Sequence, residues 1–141
     1  MSEIDQQQTR TGGCLCGKIR YSANSRPFYP HVCSCSDCRK LSGGPMMAFV
    51  GFPLSGFAWD GPGGEPTWYA TSPGAGRGFC GDCGSRVCAL DDGSDAVFVT
   101  IMSLDDDGVF VPRNQHFRDD AVSWLPQVPE PTAAAPCGQA R

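Results

Sequence analysis

Nine cysteines in 141 residues restrict what this chain can fold into more than any other feature, because thiols in such number must be cross-linked, metal-bound or buried. Eight lie between Cys14 and Cys88, and seven fall into three tight groups: Cys14-Leu15-Cys16, Cys33-Ser34-Cys35-Ser36-Asp37-Cys38 and Cys80-Gly81-Asp82-Cys83. An odd count leaves at least one thiol unpaired. The N-terminus, MSEIDQQQTRTGG, carries Glu3 and Asp5 where a secretory signal needs a basic start and an apolar run. A reducing, cytoplasmic setting is therefore expected. Disulfides are rare there, so metal ligation is the first reading of the clusters.

Spacing refines that reading. Cys80 and Cys83, followed by Gly84, can both reach one tetrahedral zinc from a tight turn that glycine permits. Cys14 and Cys16 are two apart, face the same side of an extended backbone, and can supply the other half of a closed four-thiolate structural site. The middle group, Cys33, Cys35 and Cys38, offers three ligands. Catalytic zinc commonly keeps three protein ligands and an open fourth position, whereas structural zinc is closed. The alternative is a second closed site completed by His31, His116, Cys88 or an acidic residue. Cys88 sits on an apolar segment and reads as a core thiol, and Cys137 as an incidental tail thiol.

Length favours one domain. The 18 glycines and 12 prolines require many turns. Short β-type runs appear at Lys18–Ser22, Met46–Phe52 and Ala96–Ile101, with weaker ones at Thr67–Thr71 and Ser85–Leu90. The one helix start is Ser36, an N-cap ahead of Asp37–Leu41, stopped by Gly43-Gly44-Pro45. The expected class is mainly β with little helix. Residues 1–11 read as a flexible leader, 12–125 as the folded zinc-binding domain, and 126–141 as a flexible Pro/Ala-rich tail. The longest apolar stretch, Met46–Phe52, has seven residues, far short of a bilayer span. A formal net charge of -4 argues against nucleic acid and against a zinc ribbon that binds it.

With these residues laid out, the chain resembles the glutathione-dependent formaldehyde-activating enzymes, or S-(hydroxymethyl)glutathione synthases, whose fold is the β-tent of short antiparallel sheets. The resemblance rests on Gly13-Cys14-Leu15-Cys16-Gly17 with Tyr21, on Cys33 to Lys40 with Gly43-Gly44-Pro45, and on Arg77 to Ser85. Met102 to Asp106 and Trp124-Leu125 extend it. It implies two zinc ions per chain: a structural one on Cys14, Cys16, Cys80 and Cys83, and a catalytic one on Cys33, Cys35 and Cys38. Glutathione is then the co-substrate, and its thiolate adds to formaldehyde or a related small aldehyde, a reaction classed in reverse as carbon-sulfur lysis. Three positions depart from the family pattern. Ser34 stands where histidine is frequent, Gln115 occupies the slot of a histidine expected before Trp124, and Gly44 replaces alanine or serine.

A glutathione site should offer cations to two carboxylates. Arg39 and Arg77 adjoin the metal motifs and come first, ahead of Lys40 and Arg118. Asp105, Asp106 and His116 are available for proton transfer. The rival to a lyase is a non-catalytic, zinc-stabilised binding module on the same fold.

Overall fold

The computed structural model describes residues 8–130; Cys137 and the remainder of the two expected terminal segments lie outside them. Ten strands and one short helix follow in the order β1 Arg10–Gly13, β2 Arg20–Ala23, β3 Phe28–Cys33, α1 Ser36–Ser42, β4 Met47–Pro53, β5 Phe57–Trp59, β6 Thr67–Ser72, β7 Ala75–Phe79, β8 Arg86–Asp91, β9 Ala96–Thr100 and β10 Asn114–His116. They build a three-stranded sheet, β1-β2-β5, and a seven-stranded sheet, β10-β3-β4-β9-β8-β7-β6. Every pairing is antiparallel except β10 with β3, which run parallel with His116 opposite Cys33. The chain is mainly β, as composition and turn density require. Among the described residues, no helix is long and apolar enough to cross a membrane.

The core lies between the sheets. Val50 and Phe52 of β4, Val97 and Val99 of β9, and Val87 of β8 are fully buried against Tyr21 of β2 and Ile101. Burial of each such side chain stabilises the fold by roughly 1.5–3 kcal/mol. The Tyr21 ring stacks on Phe57, 5.4 Å between centroids, and its hydroxyl meets Ser103 Oγ at 2.7 Å. The alternate residues of β4, Met47 and Phe49, face the other side of the sheet and form a second cluster with Cys33 and Cys38, flanked by Ala89 and Phe98. A strand buried on both faces loses the apolar–polar alternation, which is why Met46–Phe52 reads as one continuous run.

Ordered contacts run past residues 12–125 at both edges. Arg10 and Thr11, which composition assigns to the leader, belong to β1; Arg10 is buried with its guanidinium over the Phe110 ring, 5.2 Å to the centroid. β1 is held from outside by the Asp105 N–H, which donates to the Thr11 carbonyl at 2.9 Å. At the far end, Gln127 and Val128 belong to the folded unit rather than to a free tail. The Val128 N–H donates to Gln115 Oε1 at 2.9 Å, and the Gln115 amide donates to Gln127 Oε1.

Candidate metal centres and active site

The first cysteine cluster joins two hairpins. Cys14 and Cys16 occupy the turn between β1 and β2, Cys80 and Cys83 the turn between β7 and β8, and all four sulfurs lie within 4.8 Å of one another. Cys14 Sγ is 3.6 Å from Cys16 Sγ, which is 3.8 Å from Cys80 Sγ. Sulfurs about 2.3 Å from one tetrahedral zinc stand about 3.8 Å apart, so this donor set fits that ion. The backbone is arranged for thiolates: the Ile19 N–H donates to Cys14 Sγ at 3.2 Å, and the Asp82 and Cys83 N–H groups donate to Cys80 Sγ at 3.4 Å. Gly17 and Gly84 take φ values of 85° and 81° just after each pair, a left-handed turn that folds the second thiol back towards the first. The hydroxyl and backbone N–H of Ser85, with further hydrogen bonds, pull the Cys83 thiol down to about 5.

The second cluster has three members among the described residues. Cys33 ends β3, Cys35 caps α1, and Cys38 lies in its first turn, again with all sulfurs within 4.8 Å. The cap is Cys35 rather than the expected Ser36, because the Cys35 sulfur itself accepts the Cys38 N–H at 3.4 Å. Among the described residues no histidine, carboxylate or further thiol joins this group. Cys88 sits in the inter-sheet core, where burial pushes its thiol up to about 12. The hydrogen bond from Cys33 pulls the Cys38 thiol down to about 6, assisted by Arg77, whose Nη1 stands 3.7 Å from the sulfur; the same bond and burial push Cys33 up.

These thiols open onto a cavity of about 400 Å³ on the outer face of the large sheet. Its walls are mostly aromatic, with Tyr29 and His31 from β3, Phe49 from β4, Phe98 from β9, and His116 with Phe117 at the end of β10, and Ala89 and Asp91 of β8 complete them. The rings of Tyr29, His31 and His116 form a triangle: His31 is 4.6 Å from Tyr29 and 4.5 Å from His116, and Tyr29 is 5.5 Å from His116, while His31 Nδ1 lies 3.0 Å from the Tyr29 carbonyl oxygen. Burial lowers His31 to about 4 and lowers His116 as well, so His31 is neutral at pH 7. Tyr29 Oη and His116 Nε2 are 2.5 Å apart.

Of the arginines singled out from sequence, Arg77 lines this cavity and Arg39 does not. Arg39 Nε donates to the Ser34 carbonyl at 2.9 Å and so braces the cysteine loop from behind. Arg118 is engaged by the Val128 carbonyl and Glu130, and Lys40 shares a separate shallow depression with Arg39. Asp105 is held by Arg20 and Thr11, and Asp106 by Arg10, and neither lines the three-thiol cavity. His116 alone of the proton-transfer candidates reaches the cavity. Sequence reasoning missed Tyr29, Phe49, Phe98 and Phe117. No sequence signal pointed to Tyr29, because the register shift between Phe28 and His31 breaks the alternation that would relate it to His31 and Cys33.

A crystal structure of a Rhodobacter sphaeroides protein matches this fold with a TM-score of 0.58 at 18% identity, over 74% of this chain and 98% of that one. No curated protein matches the chain. The family model described as glutathione-dependent formaldehyde-activating enzyme matches residues 9–120, a span that takes in both cysteine clusters and the cavity between β3 and β10. With that match over most of its length, the chain belongs to the glutathione-dependent formaldehyde-activating enzyme family, and its two sheets are a β-tent.

Proposed function

We propose that the protein is a cytoplasmic carbon-sulfur lyase of the S-(hydroxymethyl)glutathione synthase type, with one structural zinc on Cys14, Cys16, Cys80 and Cys83 and one catalytic zinc on Cys33, Cys35 and Cys38. The observation that carries this reading is the unequal pair of clusters: four converging thiols in one, and in the other three that face a cavity with no fourth donor among the described residues. Zinc held by the three thiols supplies a Lewis acid that lowers the pKa of an incoming thiol and so provides thiolate at neutral pH. The family description supports glutathione as the thiol and formaldehyde as the aldehyde.

The chain's own residues then bind and orient. Arg77 is the cation that would receive a carboxylate of the thiol substrate, a role supported by its place in the cavity lining and its Nη1 3.7 Å from Cys38 Sγ. The aromatic walls exclude water from the adduct, which would otherwise exchange with hydrated formaldehyde. Ser34 and Arg39 fix the loop that carries Cys33 and Cys35. The domain assignment that fits this role is a zinc-binding unit from Arg10 through the Gln127 contacts.

Zinc per chain, measured by elemental analysis on wild type and on Cys35→Ser before and after titration with glutathione, tests the proposal. About two zinc ions falling to about one in the variant, with glutathione perturbing only the wild type, is the expected result. One zinc in both proteins, or two with no response to thiol, would replace the lyase with a zinc-stabilised binding module.

A further inference from the structure

Among the described residues only two other than glycine have positive φ, Tyr29 at 53° and Phe117 at 57°. Tyr29 lies within β3 and Phe117 just after β10, yet both line the three-thiol cavity. Non-glycine residues enter this region rarely, and they persist where the surroundings over-determine them, typically at functional sites. The cause at Tyr29 is local. The pairing of β3 with β4 shifts register between Phe28 and His31, an irregularity of the kind that re-aims side chains beside active sites. Phe28 turns its ring edge onto Phe98 at 5.4 Å, and the next residue, Tyr29, turns into the cavity on the same face of the sheet. A regular strand would send these two neighbours to opposite faces.

That distortion has one product. It sets the Tyr29 hydroxyl 2.5 Å from His116 Nε2, with the Tyr29 ring stacked on His31 and His31 stacked on His116. Phe117, the second strained residue, follows His116 directly and closes the same wall. The hydroxyl belongs to a residue that lines the same cavity as the three thiols, Arg77 and Asp91.

We propose that Tyr29 is a catalytic hydrogen-bond donor to the substrate oxygen and that His116 positions it. This assignment rests on the lyase reading above. With Nε2–H of His116 donating to the Tyr29 oxygen, the phenolic hydrogen is turned towards the ligand, and on binding its donation passes to the aldehyde oxygen. As the thiolate sulfur bonds to the carbonyl carbon, the carbon–oxygen π pair moves onto oxygen, where the Tyr29 O–H stabilises the developing charge. The proton released by the thiol returns through solvent to complete the hydroxyl, so thiol plus aldehyde give the hydroxymethyl thioether with nothing left over. In the reverse direction the same hydrogen bond holds the hydroxyl whose oxygen re-forms the carbonyl.

The test follows adduct formation from glutathione and formaldehyde in zinc-loaded wild type, Tyr29→Phe, His116→Gln and His116→Leu, with zinc content and melting temperature measured on each. Loss of a donor at a developing oxyanion lowers kcat by roughly 100-fold. Tyr29→Phe should show that loss with KM for glutathione, zinc content and melting temperature close to wild type. His116→Gln keeps a donor to Tyr29 and should retain most of the rate, whereas His116→Leu should fall towards Tyr29→Phe; this pair decides the matter even if Tyr29→Phe folds poorly. Wild-type kcat in Tyr29→Phe, or equal rates in the Gln and Leu variants, overturns the assignment and leaves the lyase intact. An inactive wild type overturns both.

Discussion

Gln115 and Ser34, two of the three positions that depart from the family pattern, touch each other. Gln115 Nε2 donates to the fully buried Ser34 Oγ at 2.9 Å, and the same side chain meets Gln127 and the Val128 N–H. Two changes that look unrelated in the sequence are therefore one hydrogen-bonded junction behind Cys33 and Cys35. Gln115→Leu should cost about 1–3 kcal/mol in urea denaturation, because it strands the buried Ser34 hydroxyl and removes the contacts to Gln127 and Val128. Ser34→Ala added to it should cost less than the sum of the two single changes, which a double-mutant cycle reads directly. His31 gives a pH signature. Its folded pKa is depressed to about 4, so between there and about 6.5 the unfolded chain binds the extra proton, and stability rises with pH. The contribution is complete above about 6.5 and fades as pH falls towards 4, with about 3 kcal/mol at stake. The stability of wild type minus that of His31→Phe, measured by denaturation, should fall from pH 7 to pH 4.

Among the elements, those with intrinsic β character were legible. Met46–Phe52, Ala96–Ile101, Thr67–Thr71 and Ser85–Leu90 match β4, β9, β6 and β8 to within about two residues. β1, β3, β5, β7 and β10 were not foreseen. Arg10–Gly13, Ala75–Phe79 and Asn114–His116 are rich in glycine or polar residues, and β3 carries Pro30 at its centre. They are strands because neighbouring strands complete their ladders, a tertiary effect that overrides propensity. The cysteine turns were legible for the opposite reason, since ligand spacing is local chemistry. Gly84 offers a clean test at this level: its φ is 81° and nothing lies within 4 Å of an added Cβ. Gly84→Ala therefore acts through backbone strain alone, roughly 1–2 kcal/mol. It should weaken zinc retention against a chelator and lower the melting temperature, with Gly84→Asn milder than Gly84→Ala.

For the whole molecule, the two clusters differ in what they connect. Cys33, Cys35 and Cys38 are local to β3 and α1, whereas the four-thiol group ties the β1–β2 hairpin of one sheet to the β7–β8 hairpin of the other. Cys14→Ser or Cys83→Ser should therefore lower the melting temperature of the entire domain and release zinc. Cys33→Ser or Cys38→Ser should abolish adduct formation with a smaller thermal loss. Equal losses across all four variants, read by calorimetry, would mean that the clusters do not have separate roles. The cavity was the least legible part of the site, because its aromatic walls come from four separate strands and converge only through the order β10-β3-β4-β9.

The bridge between hairpins has a further consequence in the language of polymers. Cys16 and Cys80 are 64 positions apart, and most of both sheets is threaded between them. A metal ion gripped there by thiolates turns that stretch into a ring, and the ring persists in any unfolded chain that keeps its ion. Closing a ring of this size removes roughly 4 kcal/mol of conformational freedom from the disordered state. The same closure brings distant segments within a short search of one another, so refolding with the ion retained should outpace refolding of the stripped chain.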